Sequence, residues 1–194
     1  MAAKRVGVLA LQGDFEAHQK AFERTGAEAV PVRTAAELAR VDGLVIPGGE
    51  STTMLLIMKD EGLMEPLRRF ASERPVFGTC AGAILLATDV SHPRQDSLAL
   101  MDIGVERNAY GRQLDSRVVR LEPNAELARE IGPDELEAVF IRAPIIRRTG
   151  PGVKVYLSYL DKPVLAGQGR HLVATFHPEL SGDTRIHKLF LDRL

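Results

Sequence analysis

The sequence predicts an α/β fold built as three layers: a mostly parallel central sheet between two layers of helices, with an antiparallel extension in its second half. Three observations carry that expectation. Between Val6 and Gly78, apolar runs of strand length alternate with amphipathic stretches. Those runs are continuously apolar and do not alternate with polar residues, the pattern of strands buried on both faces. The second half is richer in β signals than in helical ones. With 194 residues, 45% hydrophobic and 26% charged, the chain can bury one sizeable core, so residues 1–194 are expected to form a single domain.

The elements follow in order. Val6-Gly7-Val8-Leu9-Ala10-Leu11 reads as a buried strand. Residues 14–25 carry helical spacing through Phe15, His18 and Phe22, and Gly26 is a natural C-cap. A second strand is expected over 29–32, and Thr34-Ala35-Ala36-Glu37 has the spacing of a capping box opening a short helix. Gly43-Leu44-Val45-Ile46 is a third strand, running into Pro47-Gly48-Gly49-Glu50-Ser51-Thr52. From Thr52 a helix runs through Met58 and stops at Gly62, another covers 65–73, and Pro75-Val76-Phe77-Gly78 is a fourth strand. Further strands are expected over 103–106, 116–121, 138–141, 153–160 and 171–176, and an amphipathic helix over 183–194 closes the chain.

Charge narrows the function. Lys and Arg total 25 against 26 Asp and Glu, which leaves no electrostatic footprint for nucleic acid or an anionic membrane. No apolar run nears the roughly 18 residues of a membrane-spanning helix. Met1-Ala2-Ala3-Lys4-Arg5 leads into no secretory pattern, and the lone cysteine fits a reducing compartment, so a cytoplasmic protein is expected. No Cys/His cluster has metal-ligand spacing, and neither a metal nor an organic cofactor is expected.

In an open parallel sheet, ligands bind beyond the carboxyl ends of the strands. Three segments fall at such ends. Gly78-Thr79-Cys80-Ala81-Gly82 is a G-x-C-x-G version of the nucleophile elbow, in which small residues flank the nucleophile because a sharp strand-to-helix turn leaves them no room. The turn exposes the sulfur at the sheet edge, at a helix N-terminus whose dipole favours the thiolate. A lone cysteine is more often a core residue, but this strand–turn–helix setting makes Cys80 the candidate nucleophile.

A nucleophilic cysteine needs a base, and there are five histidines. His18 and His187 fall in amphipathic helices, where an ordinary solvated or half-buried ring is expected. His92 lies in a polar loop, and His171 begins a strand at the wrong end. His177 follows the run Leu172-Val173-Ala174-Thr175-Phe176 and ends its strand at Pro178. Glu179, two residues on, points the same way in an extended segment, so its carboxylate can orient one imidazole nitrogen and leave the other to the sulfur. The loop at 47–52 has neither G-x-G-x-x-G nor a Walker Gly-Lys-Ser/Thr pattern. It reads either as plain capping by Ser51 or Thr52, or as an oxyanion hole in which the N–H groups of Gly49 and Ala81 face the sulfur.

Together these segments resemble the class I, triad-type glutamine amidotransferases. Gly48-Gly49-Glu50-Ser51-Thr52-Thr53, Phe77-Gly78-Thr79-Cys80-Ala81-Gly82 and Phe176-His177-Pro178-Glu179-Leu180 carry the resemblance. Val8-Leu9-Ala10-Leu11-Gln12-Gly13, Val105-Glu106-Arg107-Asn108, Tyr110-Gly111-Arg112-Gln113 and Phe140-Ile141-Arg142-Ala143-Pro144 are further similar to the glutaminase subunits of pyridoxal 5'-phosphate synthase. The resemblance implies a flavodoxin-like domain, Cys80 as nucleophile, His177 as general base and acid, and Glu179 as orienting carboxylate. It implies L-glutamine as substrate, held by Gly49, Glu50, Ser51, Arg107, Ile141 and Arg142, and hydrolysed to glutamate and ammonia. Its implied partner is a barrel-type synthase subunit in a multimeric complex, one glutaminase per synthase subunit.

Three other readings stay open at this level. The glutaminase subunit of another amidotransferase, such as that of imidazole glycerol phosphate synthesis, would share the chemistry; Leu11-Gln12-Gly13 and the 140–144 run argue against it. An unrelated cysteine hydrolase of flavodoxin-like fold leaves Glu179 unexplained. A non-catalytic binding module would fail to trap a glutamine-analogue electrophile on its thiol.

Overall fold

The computed structural model describes residues 4–108 and 116–194, so the Met1-Ala2-Ala3 and Tyr110-Gly111-Arg112-Gln113 readings lie outside the described residues. The first half lays down β1 (Arg5–Leu9), α1 (Phe15–Glu23), β2 (Glu28–Val32), α2 (Ala35–Leu38), β3 (Gly43–Ile46), α3 (Ser51–Asp60), α4 (Met64–Glu73), β4 (Val76–Thr79) and α5 (Ala81–Leu86). The second half adds β5 (Ala87–Ser91), β6 (Met101–Glu106), β7 (Ser116–Leu121), α6 (Ala125–Ile131), β8 (Leu136–Ile141), β9 (Ile145–Thr149), β10 (Lys154–Tyr159), β11 (Lys162–Gln168), β12 (His171–Ala174) and α7 (Arg185–Leu191).

Seven strands form the main sheet in the order β10-β11-β12-β4-β3-β1-β2. Neighbours from β2 to β12 are parallel, and β11 and β10 extend the sheet antiparallel. The continuous apolar runs have the expected cause, because successive side chains point to opposite faces and both faces are covered. Leu44, Ile46, Val76 and Val173 face a core shared with α3, α4 and α5, whereas Val45, Phe77, Leu172 and Ala174 face Phe22 of α1 and Ile186, Leu189 and Phe190 of α7. A three-stranded sheet, β5-β6-β9, and the antiparallel pair β7-β8 complete the described residues.

Local signals fare well where the cap is in the sequence. Thr34 and Glu37 form the expected capping box, each side chain taking the other's backbone N–H. At α3 the expectation is corrected: Glu50, not Ser51 or Thr52, is the N-cap, its carboxylate accepting from the Thr52 and Thr53 N–H groups at 3.3 and 2.7 Å. A carboxylate satisfies two of the orphan donors that one hydroxyl could not. The first strand ends at Leu9 and the last helix spans only residues 185–191, both shorter than expected.

The elbow is tight enough to exclude any side chain at residue 82. A Cβ on Gly82 would stand 2.0 Å from the Ile46 carbonyl oxygen. Gly82→Ala is therefore expected to lower the unfolding free energy by about 1–3 kcal/mol or more through forced backbone movement. Gly182→Ala, which places its methyl in open space, should change it by less than about 0.5 kcal/mol. Urea unfolding of the two variants side by side checks both.

Candidate active site

The sheet order brings the three segments together. β4 is flanked by β12 on one side and β3 on the other, so the chain leaving β4 at Cys80 emerges between the His177 turn and the glycine loop. The Cys80 N–H donates to the Ala174 carbonyl at 2.8 Å, and the His177 N–H to the Val139 carbonyl at 2.8 Å. Those bonds fix both backbones against neighbouring strands. Cys80 adopts φ 48°, ψ −104°, a region that costs a residue with a Cβ about 1–3 kcal/mol. This strain lifts the sulfur out of the sheet, as an elbow must.

His177 Nδ1–H donates to Glu179 Oε1 at 2.7 Å, and the Cys80 and His177 side chains both border Gly48. Cys80 Sγ lies 3.9 Å from the Ile141 carbonyl. All three residues are largely buried, at 8%, 8% and 5% exposure for Cys80, His177 and Glu179. Burial works against a charged His177 ring, but neighbouring Cys80 and the Glu179 carboxylate that accepts its Nδ1–H outweigh it, raising its pKa to about 10. Burial likewise opposes the Glu179 carboxylate, yet His18 and His177 on either side hold its pKa below the ordinary value. The arrangement supplies a nucleophile, a protonated ring to serve the leaving group, and an anion that stabilises that ring.

Cys80 and His177 open onto a cavity of about 400 Å³ lined by Gly49, Ser51, Ala81, Arg107, Ile141 and Arg142 among others, a size that takes a small metabolite. Every sequence-derived site residue with an open face is thus brought to one place, with Glu179 behind His177. Glu50 lines the cavity too, but its carboxylate is committed to capping α3. Ser51 is buried and donates its hydroxyl to Gln95 Oε1 at 3.2 Å. Arg107 is held at the wall by Thr52 Oγ1, 2.9 Å away, and by Glu50. Arg142 carries a positive φ of 44° and Asn108 one of 52°, so with Cys80 three left-handed residues that are not glycine line one cavity. Such clustering marks functional sites.

Some residues here escaped sequence reasoning. Gln12 Oε1 accepts the Glu50 N–H at 2.8 Å, and Asp14 N–H donates to the Gly48 carbonyl at 3.3 Å, which ties the glycine loop to the end of β1. His18 and His187 are not solvated or half-buried: both have no exposed surface. His18 Nε2 stands 3.2 Å from Glu179 Oε2. Their helical spacing places them on the inner faces of α1 and α7, and nothing in that spacing tells a polar network from an apolar contact. His171 does sit away from the site, where its Nδ1 accepts the Val76 N–H at 3.2 Å. Among the described residues, no group of three or more His, Cys, Asp or Glu is placed to hold a metal ion, and no helix is long and apolar enough to cross a membrane.

The buried rings predict acid lability. Burial, with Arg170 adding, lowers the His171 pKa from about 6.5 to about 4. Burial also lowers the pKa values of His18 and His187. Between pH 6.5 and 4 the unfolded chain therefore binds protons that the native chain does not, so stability falls as pH falls through that window. The urea midpoint should drop between pH 7 and pH 5, and less steeply in His187→Phe. A flat profile for the wild type would contradict this.

Comparison with known proteins adds sequence and structural relatives. Residues 8–194 match the family model described as "SNO glutamine amidotransferase family". The chain is 56% identical over 191 residues to the "Pyridoxal 5'-phosphate synthase subunit PdxT" of Solibacter usitatus (strain Ellin6076), covering 98% of this chain and all of that one. It is 51% identical over 187 residues to the protein so named from Koribacter versatilis (strain Ellin345), covering 96% and 94%. A solved structure described as "Crystal structure of glutamine amidotransferase" superposes with a TM-score of 0.89 at 43% identity, covering 97% of each chain.

Proposed function

The chain belongs to the SNO glutamine amidotransferase family, and from that membership we propose that it is the glutaminase subunit of a pyridoxal 5'-phosphate synthase, hydrolysing L-glutamine to L-glutamate and ammonia at Cys80. The observation that carries the reading is Cys80 and a Glu179-bound His177 opening together onto a cavity walled by two arginines. An α-amino acid brings a carboxylate that a guanidinium grips bidentately, and in this reading Arg107 and Arg142 on the cavity wall take it. Backbone groups of Gly49, Ser51 and Ile141 serve the rest of the zwitterion and the side-chain amide.

The reaction then runs in two halves. Cys80 Sγ attacks the side-chain amide carbon, and the carbonyl electrons move onto oxygen, where the N–H groups of Gly49 and Ala81 receive the charge. His177 gives its ring proton to the amide nitrogen, the C–N bond breaks, and ammonia leaves a γ-glutamyl thioester. His177 next takes a proton from water as that water attacks the thioester. Collapse of the second tetrahedral species releases glutamate and returns the proton to the Cys80–His177 pair. Glu179 keeps Nδ1 of the ring protonated throughout and stabilises the imidazolium each time it forms.

The ammonia serves a synthase subunit. We take that partner to be a (β/α)₈ barrel that joins the ammonia with a pentose phosphate and a triose phosphate, each barrel carrying one glutaminase. Chemistry that depends on one free thiol suits a reducing compartment, and we place the complex in the cytoplasm. Glutamate and ammonia released from L-glutamine by the chain with its synthase subunit test the reading. Equal amounts of the two products are expected, and no release from the complex would overturn it.

A further inference from the structure

The chain leaving β5 takes no part in the reaction as written, yet it holds one wall of the cavity. Its first residues fix the backbone at the end of β6: the Arg107 N–H donates to the Ser91 carbonyl at 3.0 Å, and Asn108 Nδ2 donates to the His92 carbonyl at 3.5 Å. Further on, Gln95 Oε1 accepts two hydroxyls from the first turn of α3, Ser51 Oγ at 3.2 Å and Thr52 Oγ1 at 3.1 Å. Thr52 Oγ1 in turn accepts from Arg107 Nη2 at 2.9 Å. Gln95, Thr52 and Arg107 thus form one line of hydrogen bonds. Arg107 lines the cavity and Gln95 does not.

The direction of this line is set from its charged end. A guanidinium only donates, so Thr52 must accept from Arg107. The hydroxyl has one hydrogen of its own, which Arg107 cannot take and the Gln95 carbonyl does. With the amide turned over, its NH₂ group would face both hydroxyls, and the Thr52 hydrogen would have no acceptor along the line. Donation to Gln95 keeps a Thr52 lone pair on the guanidinium and polarises the oxygen that holds it. The Arg107 side chain is only 11% exposed, so bulk water has little access to take the place of Thr52. The other acceptor on Nη2 among the described residues is Glu50 Oε1, at 3.5 Å, and that carboxylate already caps α3.

We infer that Gln95 is a positioning residue for glutamine binding: it turns the Thr52 hydroxyl so that its lone pair holds Arg107 ready for the substrate carboxylate. The inference rests on the glutaminase reading above, in which Arg107 takes that carboxylate. An arginine side chain has much rotamer freedom to lose, and holding it beforehand spares the arriving ligand that cost. Gln95 touches neither Cys80 nor His177, so its loss weakens substrate binding and leaves the chemical step alone.

Three variants and one analogue test it, all on the chain in complex with its synthase subunit. Gln95→Met keeps the length of the side chain and removes the acceptor. Thr52→Val removes the hydroxyl, and Thr52→Ser keeps it. Gln95→Met and Thr52→Val should each raise KM for glutamine about 3–10-fold, below the full worth of a hydrogen bond to a charged group because Thr52 is exposed. Their kcat should stay within about twofold of the wild type. Thr52→Ser should recover most of what Thr52→Val loses. Gln95→Met combined with Thr52→Val should be little worse than Thr52→Val alone, because Gln95 acts through that hydroxyl. The analogue is glutamine with its α-carboxylate replaced by a carboxamide. It brings Arg107 no charge to grip, so the fall in kcat/KM that Gln95→Met causes should all but vanish with it. A merely structural role would instead lower the stability of Gln95→Met and its kcat/KM for both substrates alike. An unchanged KM in Gln95→Met, additive losses in the double variant, or equal losses with the two substrates overturns the inference. If the wild-type complex releases no glutamate at all, the glutaminase reading fails and the inference falls with it, an outcome told apart because it needs no variant.

Discussion

Cys80→Ala is expected to lose glutamine hydrolysis by at least about 10⁴-fold in the presence of the synthase subunit, while the protein stays folded. The loss follows because no other thiol exists in the chain and water attacking an amide has no equivalent nucleophile at that position. Folding survives because alanine has the same Cβ in the same cramped turn. His177→Asn should lose nearly as much, and the double variant little more, since members of a triad act as one unit. The strained backbone gives a second readout. At φ 48° a Cβ is disfavoured, so Cys80→Gly should be at least as stable as Cys80→Ala, although glycine elsewhere costs about 0.5–1 kcal/mol relative to alanine. Glutamate release from Cys80→Ala at more than a few per cent of the wild-type rate would remove the nucleophile assignment. A Gly variant clearly less stable than the Ala variant would remove the strain.

What the sequence makes legible here is what local sterics and long apolar runs decide. Cys80 between Gly78 and Gly82 announces its turn because only glycine tolerates the Ile46 carbonyl at that approach. The strands of the parallel core announce themselves because both of their faces are buried. His177 and Glu179 are legible as a pair from their spacing just past a strand, but not for the expected reason: the strand stops at Ala174 and Glu179 reaches the ring from a 3₁₀ turn over Pro178–Leu180, not from extended chain. Features set by distant partners are not legible. β9 and β11, with Arg147 and Arg148 in one and Gly167 in the other, owe their extension to neighbours in β6, β10 and β12, and α6 is a short helix that depends on its Asn124 cap. The Arg142 left-handed turn and the use of Glu50 as a cap carry no sequence signal of their own. His18 and His187 are 169 residues apart, and only the docking of α1 beside α7 makes them a pair.

Addition of the synthase subunit is expected to raise the glutaminase rate by about 10²–10³-fold, the usual worth of one oxyanion-hole donor. Ammonia released into neutral water becomes ammonium and ceases to be a nucleophile, so hydrolysis without a receiving subunit wastes glutamine. A device that withholds one donor until the partner docks would prevent this, and the glycine loop has the means. Gly49 sits at φ 156°, where a Cβ would meet Gln12 Oε1 at 2.4 Å, so this peptide is held by its surroundings and not by side-chain sterics of its own. Its other restraints are few: the Gly48 carbonyl accepts a long 3.3 Å bond from Asp14 N–H, and Gln12 holds the next N–H along. Turning the Gly48–Gly49 peptide gives up one long bond and redirects a single N–H, a switch well within what a docking partner can drive. Gln12 and Asp14 also line the cavity, so a partner that touches the end of β1 reaches the loop through them. The test is steady-state glutamate release at saturating glutamine with synthase titrated from none to excess. A rise that saturates at one synthase per glutaminase, with the Cys80→Ala chain silent throughout, is the expected course. Should the free chain already run at the rate of the complex, the loop is not a gate, whatever the standing of the triad beside it.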